Sequence, residues 1–304
     1  MRKFIGLTKR NLLIYFKDIQ SVVFSMLTSI IVFVLYLLFL KGNLVDAIEG
    51  SAKGLEDFIK GGDIDMLVNG ILLTGILGSA MITVPYNCLS TIIKDRENKI
   101  DYDISATPIK RWQIILSYFM ASTISAFVMA SIILTVGILI LSGQEGELHL
   151  TAESIASLYG ITLLGAVSAT SFFMLVVLLF KSSSASGAFF GILSATAGFV
   201  IGAYIPISQF SEGVQTFCNV FPASGITILF RNALLNGSLS NINDAIGGID
   251  NGLFTKSIKE IFTFQQKVFG HVMNTGETVC YVIGFALLCI LVMVIVYPRV
   301  YRRK

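Results

Sequence analysis

Six long runs of this sequence contain no Asp, Glu, Lys or Arg, and this feature restricts the fold more than any other. The hydrocarbon core of a bilayer is about 30 Å thick, and a helix of roughly 20 apolar residues crosses it. A helix can enter that core because it pairs its own backbone polar groups, whereas irregular chain cannot. The runs cover residues 21–40, 66–93, 112–141, 154–180, 187–205 and 278–297.

The composition agrees with these runs. Hydrophobic residues make up 54% of the chain and charged residues 13%, a balance that a water-soluble fold could not bury. The first run is long and has no small-residue cleavage site after it, so we interpret it as a retained span rather than a signal peptide. The sequence therefore predicts an all-α integral membrane protein with six transmembrane helices, forming a single transmembrane domain over residues 1–304.

The basic residues are distributed unevenly between the connecting segments. Fifteen of the 22 Lys and Arg residues lie in residues 1–20, residues 94–111, at Lys181 or in the tail from Arg299. The other seven are spread over much longer connections. Since cytoplasmic loops retain positive charge, we expect a multi-pass protein of the cell membrane with both termini in the cytoplasm. Topology and anionic membrane lipid explain the basic excess, and we expect no nucleic-acid partner.

Several classes of function lose support from residues that the sequence lacks. Ion-coupled carriers usually keep an ionisable residue inside the helix bundle, and the six runs have none. The chain has no phosphate-binding Gly-x-x-x-x-Gly-Lys-Ser/Thr motif and no soluble stretch long enough for a nucleotide-binding domain. Its cysteines lack metal-ligand spacing and suit small apolar positions, although pairing of Cys218 with Cys280 stays open. We expect no catalytic residue, metal site or cofactor in this chain.

The N-terminal segment, residues 1–20, mixes apolar and basic residues at short intervals. Phe4 and Leu7 alternate with basic residues such as Lys9 and Arg10, as in a helix that lies in the membrane interface. The sequence predicts an interfacial amphipathic helix along the inner leaflet. The alternative is a simple basic anchor for the first span.

The connection between the second and third runs, residues 94–111, is rich in charge of both signs. Acidic residues near its start favour a short helix, and Pro108 would end that helix and begin the next span. Such a segment is suited to transmit force from a soluble partner. An ordinary charged loop that follows the positive-inside rule is the alternative.

This connection resembles a known family. Arg96-Glu97 followed by Thr107-Pro108-Ile109-Lys110-Arg111 is similar to the Arg-Glu and Thr-Pro-x-x-Arg elements of the type-2 ABC exporter permeases, the membrane subunits of drug, antimicrobial-peptide and polysaccharide exporters. The family usually has a glycine soon after the Glu, where this chain has Asn98-Lys99. The resemblance implies a coupling helix that docks on a separate ATPase subunit, which binds the ATP. The coupling residues that it implies are Arg96, Glu97, Asp101, Thr107 and Pro108.

Residues 206–276 extend the resemblance into the region that we expect to be extracytoplasmic. Pro206, the Asn219-x-x-Pro222 element and Arg231 resemble the corresponding segment of the same family. Pro222 and Gly225 interrupt the apolar stretch, which predicts short re-entrant or outer helices rather than a seventh full span. After them, the sequence predicts a solvated loop over residues 236–252 and an amphipathic outer helix over residues 254–269.

The second and fifth runs contain small and polar residues at intervals close to one helical turn. In the fifth run, small residues form a stripe that permits close helix packing, against either a sister subunit or another helix of the same chain. Hydroxyl and amide groups in both runs could orient an amphipathic cargo, and the resembled family places these spans beside its central cavity. The packing residues are Gly187, Gly191, Gly198 and Gly202, and the substrate-path residues are Thr74, Thr83, Asn87, Ser194 and Thr196.

The resemblance implies a permease subunit of an ATP-driven exporter, without ATPase activity of its own. Its expected cargo is amphipathic or hydrophobic, a drug-like compound or an antimicrobial peptide, which connects it with efflux and antimicrobial resistance. Its expected partners are an ABC ATPase subunit, a second permease subunit in a homodimer or heterodimer, and membrane lipid. The alternatives are a permease for polysaccharide or lipid-linked glycan and a structural membrane protein that transports nothing.

Overall fold

The computed structural model describes residues 2–55, 58–143 and 148–300, and for residue 37 and residues 297–300 the backbone alone. The basic tail residues Arg302, Arg303 and Lys304, which entered the charge count, lie outside the described residues, as does the side chain of Arg299. The described elements are α1 (Arg2–Lys17), α2 (Ile19–Leu35), α3 (Lys41–Ser51), α4 (Gly61–Glu97), α5 (Ile100–Ala106), α6 (Arg111–Ser142), α7 (Ala152–Val177), α8 (Ser183–Val200), α9 (Glu212–Val220), α10 (Pro222–Ile246), α11 (Leu253–Ile261), β1 (Gln266–Val268), β2 (His271–Met273) and α12 (Thr275–Val300).

Six helical segments in the described part of the chain are long and apolar enough to cross a bilayer. The first joins α2 to α3 through a π-helical turn, Tyr36–Leu40, and the others are α4, α6, α7, α8 and α12. This confirms the all-α membrane fold with six spans. We call the end that gathers α1, α5 and the α7–α8 connection the basic end, and the end that gathers α3, α9, α10, α11 and the β-hairpin the opposite end.

Helix α4 forms the centre of the helix bundle. It has 37 residues, hence a length of about 55 Å, which exceeds the thickness of the hydrocarbon core. Its most apolar stretch is 83% buried, packed against α2, α6, α7, α8 and α10. Every other span packs beside this helix or beside one of its neighbours, so a displacement of α4 reaches most of the bundle.

Two glycines of α4 allow α10 to approach closely. Gly70 faces Leu235 and Gly78 faces Thr227, and a methyl group added at either glycine would overlap these side chains. The two contacts are eight residues apart on each helix, but they occur in opposite order along the two helices. Helices α4 and α10 are therefore antiparallel. Small residues at the closest approach are typical of helix packing in membranes.

The outer spans leave apolar faces uncovered by the described chain. The most apolar stretch of α8 is 17% buried, that of α2 with its continuation 29%, and that of α12 22%. Large exposed residues on these faces include Phe24, Ile192 and Leu287. Lipid or a second subunit can cover such faces, since both present apolar groups.

Helix α1 buries one stripe of its surface against the bundle. Leu7, Asn11 and Tyr15 recur at intervals of four residues and are buried, whereas Ile5 and Leu13 on other faces are exposed. The buried stripe packs on α6 and α4. The amphipathic pattern of the N-terminal segment therefore corresponds to a helix with one face on protein.

The opposite end contains a sharp break between two helices. Helices α9 and α10 meet at an angle of 88°, with Pro222 as the first residue of α10. The solvated loop predicted over residues 236–252 is wrong in its first part, because α10 continues through Ile246. Leu239, Ile242 and Ile246 lie at helical spacing and are buried, and this apolar stripe within a polar run stabilises the helix.

The outer helix predicted over residues 254–269 is also shorter in the structure. Helix α11 ends at Ile261, and β1 and β2 follow as an antiparallel hairpin in which Val268 pairs with His271. Phe269 and Gly270 form the two-residue turn with φ of 48° and 81°, the left-handed conformations that such a turn requires. The prediction failed because the strands are only three residues long and give little periodic signal.

Candidate functional site

The candidate coupling segment consists of the end of α4, helix α5 and the start of α6. Helix α4 ends at Glu97, and Lys99 takes a left-handed backbone conformation (φ 62°) before α5 begins. Glycine adopts this conformation most easily, and this is where the resembled family usually has a glycine. This residue separates α4 from α5, and Asp101 in the first turn of α5 stays close to Arg96.

Arg96 connects the end of α4 to the end of α7. Its guanidinium group donates hydrogen bonds to the carbonyl oxygen of Phe180 at 2.6 Å and to that of Leu178 at 3.4 Å. These carbonyls lie at the C-terminal end of α7, where the helix dipole is negative. A cation at this position satisfies carbonyl groups that have no partner within the helix.

Glu97 makes the complementary contact with the next helix. Its carboxylate accepts hydrogen bonds from the backbone N–H of Ser183, at 3.1 Å, and from the Ser183 hydroxyl. Ser183 is the first residue of α8, and the N-terminal end of a helix favours a negative charge. Adjacent residues of α4 therefore hold the C-terminus of α7 and the N-terminus of α8. We call these contacts the Arg96–Glu97 clamp.

The remaining predicted coupling residues shape α5 and its exit. Burial raises the pKa of Asp101, and the nearby Arg96 acts in the opposite direction. Thr107 donates a hydrogen bond to the carbonyl of Ile104 at 2.6 Å, and Pro108 follows without extending α5. Thr107, Pro108 and the aromatic Tyr102 are exposed at the basic end. Of the five predicted coupling residues, Arg96 and Glu97 thus contact neighbouring helices, whereas Thr107 and Pro108 are exposed at the basic end.

A buried ion pair that was not predicted from the sequence involves Asp95, the residue directly before Arg96 in α4. Arg10 of α1 contacts both carboxylate oxygens of Asp95, at 2.6 and 2.8 Å, and the Tyr118 hydroxyl of α6 donates to the same carboxylate. The Asp95 side chain is 5% exposed. The pair fastens α1 to α4 and α6, and it raises the pKa of Arg10. The available signal was the position of Asp95, the first acid after the second apolar run.

A second, more exposed ion pair lies at the junction of α1 and α2. Asp18 accepts hydrogen bonds from Ser21, as the N-cap of α2, and from Lys94 at 3.0 Å. These contacts lower the pKa of Asp18 to about 2, with the Ser21 hydroxyl as the largest cause. Lys94 thereby connects the last turns of α4 to the start of the first span.

Two of the predicted substrate-path residues are completely buried within the subunit. Thr74 donates to the carbonyl of Ile71 in its own helix at 2.7 Å. Thr83 donates to the carbonyl of Ser25 in α2 at 3.0 Å and to that of Ser79 at 3.2 Å. Both side chains have no exposed surface, so in this conformation they contact helices and no open space.

The other three path residues are partly or fully exposed. Asn87 donates to the carbonyl of Ser21 at 2.6 Å and lines a cavity of about 170 Å³ between α4 and α8 at the basic end. Ser194 accepts a hydrogen bond from Thr28 at 2.8 Å. Thr196 is exposed on α8 and donates to a carbonyl of its own helix. The structure does not gather the five residues into one cavity.

Three of the five path residues form hydrogen bonds with the first span. The predicted substrate path had included only spans two and five. Ser21, Ser25 and Thr28 of α2 contact Asn87, Thr83 and Ser194 respectively. These α2 residues recur at intervals of about one helical turn, and this polar stripe in an apolar run was the available signal. The polar groups of spans two and five therefore position span one.

The predicted glycine stripe divides into two parts, and its last member is not helical, because α8 ends at Val200 and Gly202 lies in the turn after it. Methyl groups added at Gly187 or Gly191 would meet no described atom within 4 Å. At Gly198 the added group would overlap the ring of Tyr204, and Gly202 has a positive φ of 69° beside Ile207. The first two glycines thus form an open strip, and the last two pack within the chain.

The cysteines left open by the sequence are free thiols in the structure. Cys218 is buried in α9, and Cys280 is exposed on α12.

Together, the six spans and the charged segment at one end define a multi-pass membrane protein with a candidate docking site for a partner. Residues 57–297, most of the chain, match the family described as ABC-2 family transporter protein. The chain therefore belongs to the ABC-2 transporter family, which confirms the resemblance to type-2 ABC permeases. No match was found among curated proteins. Membership makes the chain the membrane component of an ABC transporter system, in which an ATPase partner is implied.

Proposed function

We propose that this chain is the permease subunit of an ATP-driven exporter that moves amphipathic or hydrophobic cargo, a drug-like compound or an antimicrobial peptide, out of the cell. The basic end faces the cytoplasm and both termini lie there, in accordance with the distribution of Lys and Arg. A separate ATPase docks on α5, and a second permease subunit completes the translocation path.

The observation that carries this proposal is the Arg96–Glu97 clamp. A push on α5 moves the end of α4, and the clamp transfers that movement to the ends of α7 and α8. Hydrogen bonds with a charged partner are the stronger class in proteins, so the clamp transmits force rather than stretching. Three spans thus respond together to one event on the cytoplasmic surface.

The cargo path runs between span five and its neighbours. Asn87 and Thr196 offer an amide and a hydroxyl group next to apolar residues, a lining that orients an amphipathic molecule without holding it too tightly to leave. The open strip at Gly187 and Gly191 gives the second permease subunit a smooth surface to approach. The exposed apolar faces of α2 and α8 supply the remaining contact area.

Alanine substitutions at Arg96 and Glu97 test the proposal. We expect both variants to reach the membrane, and we expect export of a fluorescent hydrophobic dye or a labelled amphipathic peptide to fall about tenfold, since each loses charged hydrogen bonds. Binding of the ATPase or the coupling of its hydrolysis to export should weaken in parallel. The measurements are efflux from cells, copurification of the ATPase, and ATP hydrolysis by the complex.

Glu153→Ala is the matched control, because Glu153 is an exposed acid in the first turn of α7 at the opposite end. It should leave export and ATPase binding unchanged. The proposal would lose its basis if both clamp variants exported cargo and bound the ATPase as well as the wild-type protein. The candidate coupling segment would then be only a charged loop that fixes the topology.

A further inference from the structure

The opposite end is built around a cavity of about 850 Å³ that the export mechanism does not use. Its walls come from α9, the second half of α10, one face of α11 and the β-hairpin. This volume lies in the range of small-molecule binding sites. The walls are mostly polar side chains, unlike the apolar contacts that fill the rest of the subunit.

The charge in this cavity is predominantly positive. Lys256 and Lys259 of α11 and Lys267 of β1 line it, together with one carboxylate, that of Glu260. Glu212 approaches Lys267 at 3.8 Å, but its side chain is 91% exposed, so water screens this contact strongly. The lining therefore attracts an anion.

Hydroxyl and amide groups complete the lining. Asn236, Ser240 and Asn243 lie on one face of α10 and point the same way, at intervals of four and three residues. Across from them, the hydroxyls of Thr255 and Thr263 are buried and have no hydrogen-bond partner among the described residues. These two oxygens have almost no accessible surface, so the side chains of Asn236, Ser240 and Asn243 are the polar groups that α10 offers to a ligand in the cavity.

The position of the cavity along the membrane normal follows from the packing of α10 on α4. Leu235 contacts Gly70, four residues from Met66, where the uncharged run of α4 begins. At about 1.5 Å per residue in this antiparallel pair, Asn236 lies about 4.5 Å within the apolar band and Asn243 lies about 6 Å beyond its edge. The lining thus spans the boundary between the apolar band and the level of the lipid headgroups.

We propose that this cavity binds the phosphate ester of a polyol, with glycerol phosphate as the simplest member of the class. The three ammonium groups bind the phosphate, and the amide and hydroxyl groups bind the polyol. An anionic lipid headgroup and a soluble phosphate ester share this chemistry. The proposal requires no export activity, so its test is independent of the proposed function.

The test uses the full chain in lipid nanodiscs, with two probes. In the first arm the nanodiscs contain phosphatidylcholine and sn-glycerol 3-phosphate is added, with glycerol as the neutral control, and binding is measured by calorimetry. In the second arm the nanodiscs contain phosphatidylglycerol, and lipid retained by the protein is measured by native mass spectrometry. Binding in the first arm identifies a soluble ligand, and binding in the second arm alone identifies a lipid headgroup.

The matched variants are K256Q/K259Q, which removes two cavity charges, and K53Q/K60Q, which removes two exposed charges at the same end but outside the cavity. We expect the first to weaken binding at least about tenfold and the second to leave it unchanged. K256R/K259R should retain binding. Should K256Q/K259Q fail to fold, Lys267→Gln on β1 carries the same expectation. Absence of binding in both arms, binding of glycerol alone, or equal weakening in both Gln pairs would overturn the proposal.

Discussion

Asp95 shows how strongly a single charged residue can depend on its partners in this bundle. Its carboxylate is almost wholly buried and is held by Arg10 in a two-pronged contact and by Tyr118. A buried ion pair contributes little beyond the cost of removing it from water, but deleting one partner leaves the other uncompensated. Arg10 is 30% exposed, which reduces that penalty without abolishing it.

Asp95→Asn should therefore destabilise the subunit by about 2 kcal/mol, below the usual range for a completely buried pair. The matched control is Lys94→Met, which breaks the exposed pair with Asp18 and should cost less than about 1 kcal/mol. Denaturation of the purified protein in detergent measures both values. Equal losses in the two variants would contradict the distinction between the buried and the exposed pair.

Asp18 should make the stability of the folded protein depend on pH in the acid range. Its pKa in the folded chain is about 2, below the ordinary value of 3.8, because Ser21 and Lys94 stabilise the ionised form. A lowered pKa adds stability above pH 4, and this contribution disappears as the pH falls from about 4 to 2. Asp18→Asn should remove that part of the acid sensitivity, as measured by thermal midpoints between pH 5 and 2. An unchanged pH profile in the variant would show that Asp18 does not contribute.

At the scale of elements, the glycines of α8 and of the turn after it have two different environments. Gly198 and Gly202 pack against the chain that follows the helix, whereas Gly187 and Gly191 face open space. A side chain at Gly198 or Gly202 would overlap Tyr204 or Ile207. A side chain at Gly187 or Gly191 would contact no described atom of the chain. Substitutions at the two pairs can therefore distinguish packing within the chain from contacts of α8 with lipid or with another protein.

We expect Gly198→Leu to lower the yield and thermal stability of the subunit, because Leu would overlap the Tyr204 ring. Gly187→Leu should leave the monomer stable but weaken pairing of permease subunits. Blue-native gels and size-exclusion chromatography distinguish these outcomes. Normal pairing of Gly187→Leu would assign the open strip of α8 to lipid.

The elements differ in how far the sequence predicts them. Uncharged runs predict the six spans because burial in a bilayer imposes length and apolarity on each span separately. The polar run after Asn236 misled the prediction, since three apolar residues in it sufficed to hold α10 against the core. Contacts such as Arg96 with Phe180 join residues 84 positions apart, and no local pattern encodes them. The sequence therefore predicted that Arg96 and Glu97 matter, but it did not predict which residues they contact.

For the whole molecule, the first expectation concerns orientation. Ser105 on α5 and Asn241 on α10 are exposed at the two ends of the bundle. With Cys280 replaced by Ser, a cysteine at position 105 should react with a membrane-impermeant reagent only from the cytoplasmic side, and one at position 241 only from outside. Labelling of both from outside would contradict the orientation inferred from the basic residues.

The central claim is that this chain supplies the path and a partner supplies the energy. The most direct test measures ATP binding and hydrolysis by the purified chain in proteoliposomes, alone and with the ATPase subunit that copurifies with it. The account predicts neither activity in the chain alone, and hydrolysis by the complex that Glu97→Ala no longer links to export. Nucleotide binding or hydrolysis by the isolated chain would contradict it.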